Sequence, residues 1–138
     1  MFFCAQLDAN DICFCIGILA EPIEKPNVIQ IPEGNDAYLG KKFDRQTETW
    51  YGLSVEAQKT AIAAGEELPI AVAWTDENGT VLDVPATVEA ICKDKVIPVD
   101  MVNGQGILTF SAAESGRYAV EFQAANGCRA ILGVTVNG

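Results

Sequence analysis

The side chains able to do chemistry are few, and their spacing limits them further. The chain has five cysteines and no histidine. Cys4, Cys13 and Cys15 lie close together, whereas Cys92 and Cys128 are far along the chain. Without histidine a zinc site would need a fourth ligand from elsewhere, and Cys-x-Cys on a strand is not a zinc-knuckle spacing. The three read as small buried hydrophobes, with a Cys4–Cys15 disulfide or a metal site as the alternatives. A serine or cysteine triad has no imidazole to act as base. Paired carboxylates could serve a glycosidase. The acids, however, fall in turns (Asp8, Asp11, Asp76, Asp94) or at solvent-facing alternate positions (Glu89, Glu121). Asp76, Asn78 and Thr80 alternate as in a calcium loop, but the sixth position is Val81 and the twelfth is Thr87, so a hairpin turn is expected. Asn78-Gly79-Thr80 is also a glycosylation sequon, which matters only in a chain secreted from a eukaryotic cell. The expectation is a protein that is not an enzyme, with no catalytic residues, cofactor or metal.

Two aromatics are the candidate binding surface. Trp50 and Tyr51 sit beside a polar turn at Arg45 to Glu48. Exposed, they would stack on a sugar ring or a partner. Buried, they would close a small core, and a module of about 50 residues has few large side chains for that purpose, which favours burial.

Hydrophobic residues make up 49% of the 138, which is a globular composition. The net charge is -10 and divides evenly: Met1 to Ala57 has nine acids and four bases, and Gln58 to Gly138 has ten and five. With no basic patch, a phosphate backbone would be repelled, so nucleic acid is not an expected partner. The apolar start lacks a basic leader region and is interrupted by Asp8 and Asp11. The uncharged run Ile12 to Ala20 is far shorter than the roughly 20 residues that span a bilayer. The expectation is synthesis in a reducing cytoplasm, mostly free thiols, no membrane insertion and no secretion by a signal peptide.

The elements that must position these residues are short strands. Phe3, Ala5 and Leu7 alternate with polar or smaller residues. After the turn formers Asp8 to Asp11, so do Ile12, Phe14, Ile16 and Ile18. Pairing Leu7 with Ile12 puts Ala5 opposite Phe14, Phe3 opposite Ile16 and Cys4 opposite Cys15. Pro22 and Pro26 interrupt the next stretch, and Val28 to Ile31 offers a third strand. Lys41 to Asp44 can pair with Thr49 to Gly52. Leu53 to Gln58 reads as one helical turn or a linker. The chain is therefore divided into residues 1–56, a small antiparallel β-meander, and residues 57–138, a sandwich. In the second part Leu68 to Thr75 places Ile70, Val72 and Trp74 on one face, with Trp74 as a structural core residue. Asn78-Gly79 then turns the chain into Val81 to Val84. Strands at Thr87 to Cys92, Lys95 to Val102, Ile107 to Phe110, Arg117 to Gln123 and Ala130 to Val136 follow, separated by turn residues. Many short strands at this spacing predict an all-β sandwich.

Two resemblances add to this reading. Gln6-Leu7-Asp8, Asn10, Ile12-Cys13, Leu39-Gly40-Lys41-Lys42-Phe43-Asp44 and Trp50 resemble the N-terminal module of small tail-associated proteins of phages and prophages of Gram-positive bacteria. Ala113 to Val120 is similar to the start of strand F in immunoglobulin-like domains, where Tyr118 would be the corner tyrosine. Val120 and Val72 stand where antibody domains have their disulfide. The resemblances imply a virion structural protein of the tail tip, baseplate or fibre. It would be made in the host cytoplasm, then built into the particle, partnered by other virion proteins or by itself as a homo-oligomer such as a trimer. The alternative is a carbohydrate-binding or adhesin-type module that recognises a bacterial surface glycan.

Overall fold

The computed structural model describes residues 2–21, 24–34 and 36–138; the interruption expected at Pro22 lies outside them. The N-terminal strands are β1 (Phe2–Leu7), β2 (Cys13–Leu19) and β3 (Val28–Ile31), followed by a 3-10 turn (Asp36–Tyr38). Next come β4 (Lys42–Asp44), β5 (Thr49–Ala57), β6 (Ala61–Ala63) and β7 (Leu68–Asp76). The last five are β8 (Val88–Cys92), β9 (Lys95–Val99), β10 (Gln105–Phe110), β11 (Gly116–Ala124) and β12 (Arg129–Asn137). They form three sheets, ordered β2-β1-β3, β10-β7-β5-β4 and β6-β12-β11-β8-β9. The fold class is all-β, a small antiparallel sheet followed by an immunoglobulin-like sandwich.

The β1–β2 hairpin forms where alternation and turn residues predict it. The Asp8 carboxylate accepts bonds from the amides of Asn10 (2.8 Å) and Ile12 (3.1 Å), and Asp11 takes a left-handed conformation at φ 62°. The pairing differs from the expected register. Leu7 faces Cys13, Ala5 faces Ile16 and Phe3 faces Ile18, with a shift between Gln6 and Leu7. Phe14 is the extra residue of this bulge, and Ile12 is drawn off to bridge Lys42. The slide at Ala5 and Phe3 is two residues. Because side chains alternate with period two, the apolar faces survive the slide although the partners change. Cys4 consequently lies opposite Gly17 and not Cys15, and all five cysteines are free thiols. β1 is the central strand, with β3 on its other side, so the order departs from a sequential meander.

The β4–β5 hairpin has the expected pairing, Phe43 with Trp50 and Asp44 with Thr49. β5 then continues into the sandwich and pairs with β7 from Tyr51–Asp76 to Ala57–Ile70. The stretch read as a helical turn or linker is therefore paired strand through Ala57. β5 crosses the boundary expected between residues 56 and 57, and it carries Trp50 into the smaller apolar cluster and Leu53 into the larger.

In β7, Leu68, Ile70, Val72 and Trp74 are buried while the residues between them are more exposed. They pack against Val120, Phe122, Val134 and Val136 of the five-stranded sheet. Val72 and Val120 are thus both in the core, where apolar packing replaces the cross-link of antibody domains. Val81 to Val84 is not a strand. The turn at Gly79 (φ 81°) closes on a single bridge, Thr75 with Val81, and the Leu82 amide donates to the Trp74 carbonyl at 2.8 Å. β6, not expected from the sequence, runs parallel to β12 and matches Ile62 with Val136.

Candidate functional site

The corner at the start of β11 is the most specific local feature. Gly116, at φ 151°, opens the strand. Two residues on, the Tyr118 hydroxyl donates to the Glu114 carbonyl at 2.8 Å. The Tyr118 ring meets Phe110 edge-on at 5.5 Å and carries the Lys93 ammonium 4.2 Å from its centroid. This is the tie across the sandwich corner that immunoglobulin-like domains make with a tyrosine. Beside it a cleft of about 620 Å³ opens between the sheets, walled by Ala90, Leu108, Phe110 and Val120 with Lys93 and Lys95 at its rim.

Trp50 and Tyr51 do not form a platform. Trp50 is 5% exposed, its ring 5.0 Å from Tyr38 and 5.1 Å from Phe43. Its amide donates to Glu77 Oε1 at 2.7 Å. Tyr51 points the other way, into the sandwich, 6.1 Å from Trp74. Adjacent strand residues face opposite sides, so one closes each core. Trp74 is fully buried and its indole N–H has no partner among the described residues. With Trp50 buried and Tyr51 half-buried on the opposite face of β5, the two rings do not make the exposed stacking pair expected as a binding surface. A cleft of about 560 Å³ is bordered by Trp50 together with β3, Tyr38, Arg45, Glu48 and Glu77. Burial first, then the nearby Glu77 and Glu33 charges, raise the Tyr38 phenol.

A polar clasp joins the β1–β2 turn to the β4–β5 hairpin. Arg45 donates through Nε (3.1 Å) and Nη2 (2.9 Å) to Asp11 Oδ1, and through Nη2 to the Pro26 carbonyl at 2.6 Å. Lys42 Nζ donates to the Asn10 carbonyl, and the Phe43 amide to the Asp11 carbonyl. The Arg45 bond holds the Asp11 carboxyl below its ordinary value. Sequence reasoning placed Asp11 in a turn but missed this partner, 34 positions away.

Two of the thiols, Cys13 and Cys128, are held protonated by burial. Burial pushes Cys128 up to about 11 and raises Cys13 as well. Such thiols are poor nucleophiles and poor metal ligands at neutral pH. Among the described residues no three Cys, Asp or Glu side chains are grouped to hold a metal ion. The Asp76 carboxylate is occupied by the amides of Asn78 and Thr80, as a hairpin turn requires. No described helix is long and apolar enough to cross a membrane.

These features define a class, an immunoglobulin-like β-domain with a small sheet attached. No protein-family model and no curated protein matches the chain. Solved structures give partial matches. A polysaccharide lyase is similar at a TM-score of 0.51 and 13% identity over 63% of this chain, which spans 12% of the lyase. The CARDB domain of the PF1109 protein of Pyrococcus furiosus, solved in complex with di-metal ions, gives a TM-score of 0.44 and 16% identity over 64% of this chain and 93% of its own. The ZirS C-terminal domain gives 0.46 and 10% identity over 88% and 87%.

Proposed function

We propose that the chain is a non-enzymatic attachment module, a virion structural protein of a phage or prophage tail tip, baseplate or fibre. Its small sheet seats it in the particle, and its immunoglobulin-like sandwich is presented to other proteins or to a surface. The observation that carries the reading is the apolar surplus of the small sheet. Phe14 and Ile18 of β2 are 50% and 61% exposed, although the sheet already covers a core of its own. The motif resemblance over residues 6–50 supplies the phage context, and fold alone would not. The partners are other virion proteins or further copies, and the chain is made in the host cytoplasm before assembly. Immunogold electron microscopy of particles from a lysogen encoding the chain tests this, with label expected on the tail and label confined to particle-free lysate counting against it.

The second reading is a carbohydrate-binding module. The cleft beside Trp50, with Arg45, Glu48 and Glu77 at its border, is the observation that keeps it in play. Binding of the purified chain to bacterial surface glycans on an array, abolished by Glu77→Ala and unaffected by Ile131→Lys, would favour it over the first.

A further inference from the structure

The cleft beside Trp50 has charges that its own residues leave unmatched. The β4–β5 hairpin forms one wall with Phe43, Arg45, Glu48 and Trp50, β3 forms another, and Tyr38 and Glu77 complete it. Its volume of about 560 Å³ lies in the range of small-molecule sites. Trp50 and Phe43 are buried, so the half-buried Tyr38, braced by Trp50 at 5.0 Å, is the aromatic ring most open to it. Arg45 gives Nε and Nη2 to Asp11 and Nη2 again to the Pro26 carbonyl, so its charge is already paired. Glu77 accepts the Trp50 amide on Oε1, and Glu48 has no side-chain partner among the described residues. Neither carboxylate has a cation, and no lysine borders the cleft. An unmatched carboxylate on an open surface is simply hydrated. Two that border one concavity, beside an aromatic ring, are within reach of a single ligand. Their field is felt there: after burial, the Glu77 and Glu33 charges raise the Tyr38 phenol.

Resting on the carbohydrate reading, we infer that the sugar this cleft takes carries a free amino group, its ammonium matched by the Glu48 and Glu77 carboxylates. Charge separates the three classes of sugar. An acidic sugar would bring a carboxylate to two others, on a chain of net charge -10, and like charges brought together are costly. A neutral or N-acetylated sugar leaves both carboxylates without a counter-charge. An amino sugar supplies one, and the field of the whole chain draws a cation towards it. The hydrogen bonding agrees. A primary ammonium has three donors and no acceptor, whereas ionised carboxylates only accept. Glu48, the second oxygen of Glu77 and the Tyr38 hydroxyl offer three acceptors at one site. The size of the cleft favours a sugar ring over a lysine side chain, whose thin methylene stem would leave most of the space empty. The Tyr38 ring gives the apolar face of such a sugar a surface to lie on.

Titration of the full chain with a glucosamine trisaccharide and with its N-acetylated form, followed by amide NMR shifts, tests the assignment. The two probes share their rings and differ in the ammonium. The free-amine form should bind about tenfold more tightly or better, with shifts centred on Tyr38, Glu48 and Glu77. Glu48→Gln and Glu77→Gln should each weaken it about threefold, and the double variant about tenfold, as expected for exposed ion pairs. Glutamine keeps an oxygen for the Trp50 amide, so only the charge at Glu77 is lost. Glu89→Gln removes the same charge from an exposed site on β8 and should change nothing. Shifts scattered over the acidic surface, or equal losses in Glu89→Gln and the cleft variants, would mean unspecific attraction and overturn the site. Equal binding of the two probes would overturn the ammonium and leave the carbohydrate reading standing. No binding of the free-amine form at about 10 mM would overturn the inference, while the glycan array still decides the reading beneath it.

Discussion

Replacing Trp50 by alanine separates the two roles that this residue could have had. The indole is 5% exposed and wedged between Tyr38 and Phe43, the latter its cross-strand partner. Truncation of a buried Trp to Ala costs about 3–5 kcal/mol through lost transfer energy and the cavity left behind. Each aromatic pair contributes about 0.5–1.5 kcal/mol within that total. For 138 residues the unfolding entropy is roughly 0.29 kcal/mol/K, so the melting temperature should fall by roughly 10–17 °C. Trp50→Phe keeps a ring against both neighbours and should cost about half as much or less. Differential scanning calorimetry gives the shift, and near-ultraviolet circular dichroism reports the packing of the aromatic cluster. A Trp50→Ala variant destabilised by less than about 1 kcal/mol, with the aromatic signal of Tyr38 and Phe43 intact, would refute the placement of the ring as core.

Three further outcomes follow from the same geometry. Tyr118→Phe removes only the hydroxyl bonded to the Glu114 carbonyl and should cost about 1 kcal/mol, or roughly 3 °C in melting temperature, in a thermal melt; no change would mean that the corner tie is not a stabilising bond. Because the Arg45 bond lowers the Asp11 carboxyl from its ordinary 3.8, its contribution is present above that pH and is lost as pH falls through the depressed native value. The stability gap between the parent chain and Arg45→Gln, measured by urea titration, should therefore be constant at neutral pH and close below about pH 4. In native protein a maleimide should label Cys15 and Cys92, which are part-exposed, well before Cys4, Cys13 and Cys128, which should react on unfolding; mass spectrometry of the labelled peptides reads the order.

The sequence carried those parts of the fold that local pattern determines. Val28 to Ile31, the Phe43–Trp50 hairpin and the buried face of Leu68 to Trp74 all follow from alternation between turn residues, and the structure has each of them. The β1–β2 register was not legible because a bulge at Phe14 has no composition of its own, and because Ile12 is claimed by Lys42, 30 positions on. The continuation of β5 did leave a signal. Leu53, Val55 and Ala57 alternate with Ser54 and Glu56, a strand pattern that runs up to the expected domain boundary. β6 left none, since three residues of Ala-Ile-Ala carry no period. Val81 to Val84 shows the converse: an apolar run that stays out of any sheet apart from its Val81 bridge. At the candidate site the fate of Trp50 depended on Tyr38, which reaches it from a 3-10 turn with no pattern to predict the contact.

The proposed role of this chain is that of an attachment component of an assembled particle. Its most direct test is quantitative mass spectrometry of particles purified through a density gradient from cells that encode it. Peptides from both β1–β5 and β7–β12 are expected, present in fixed ratio to the other tail proteins. Particles that lack these peptides while the chain accumulates in the soluble fraction would contradict it.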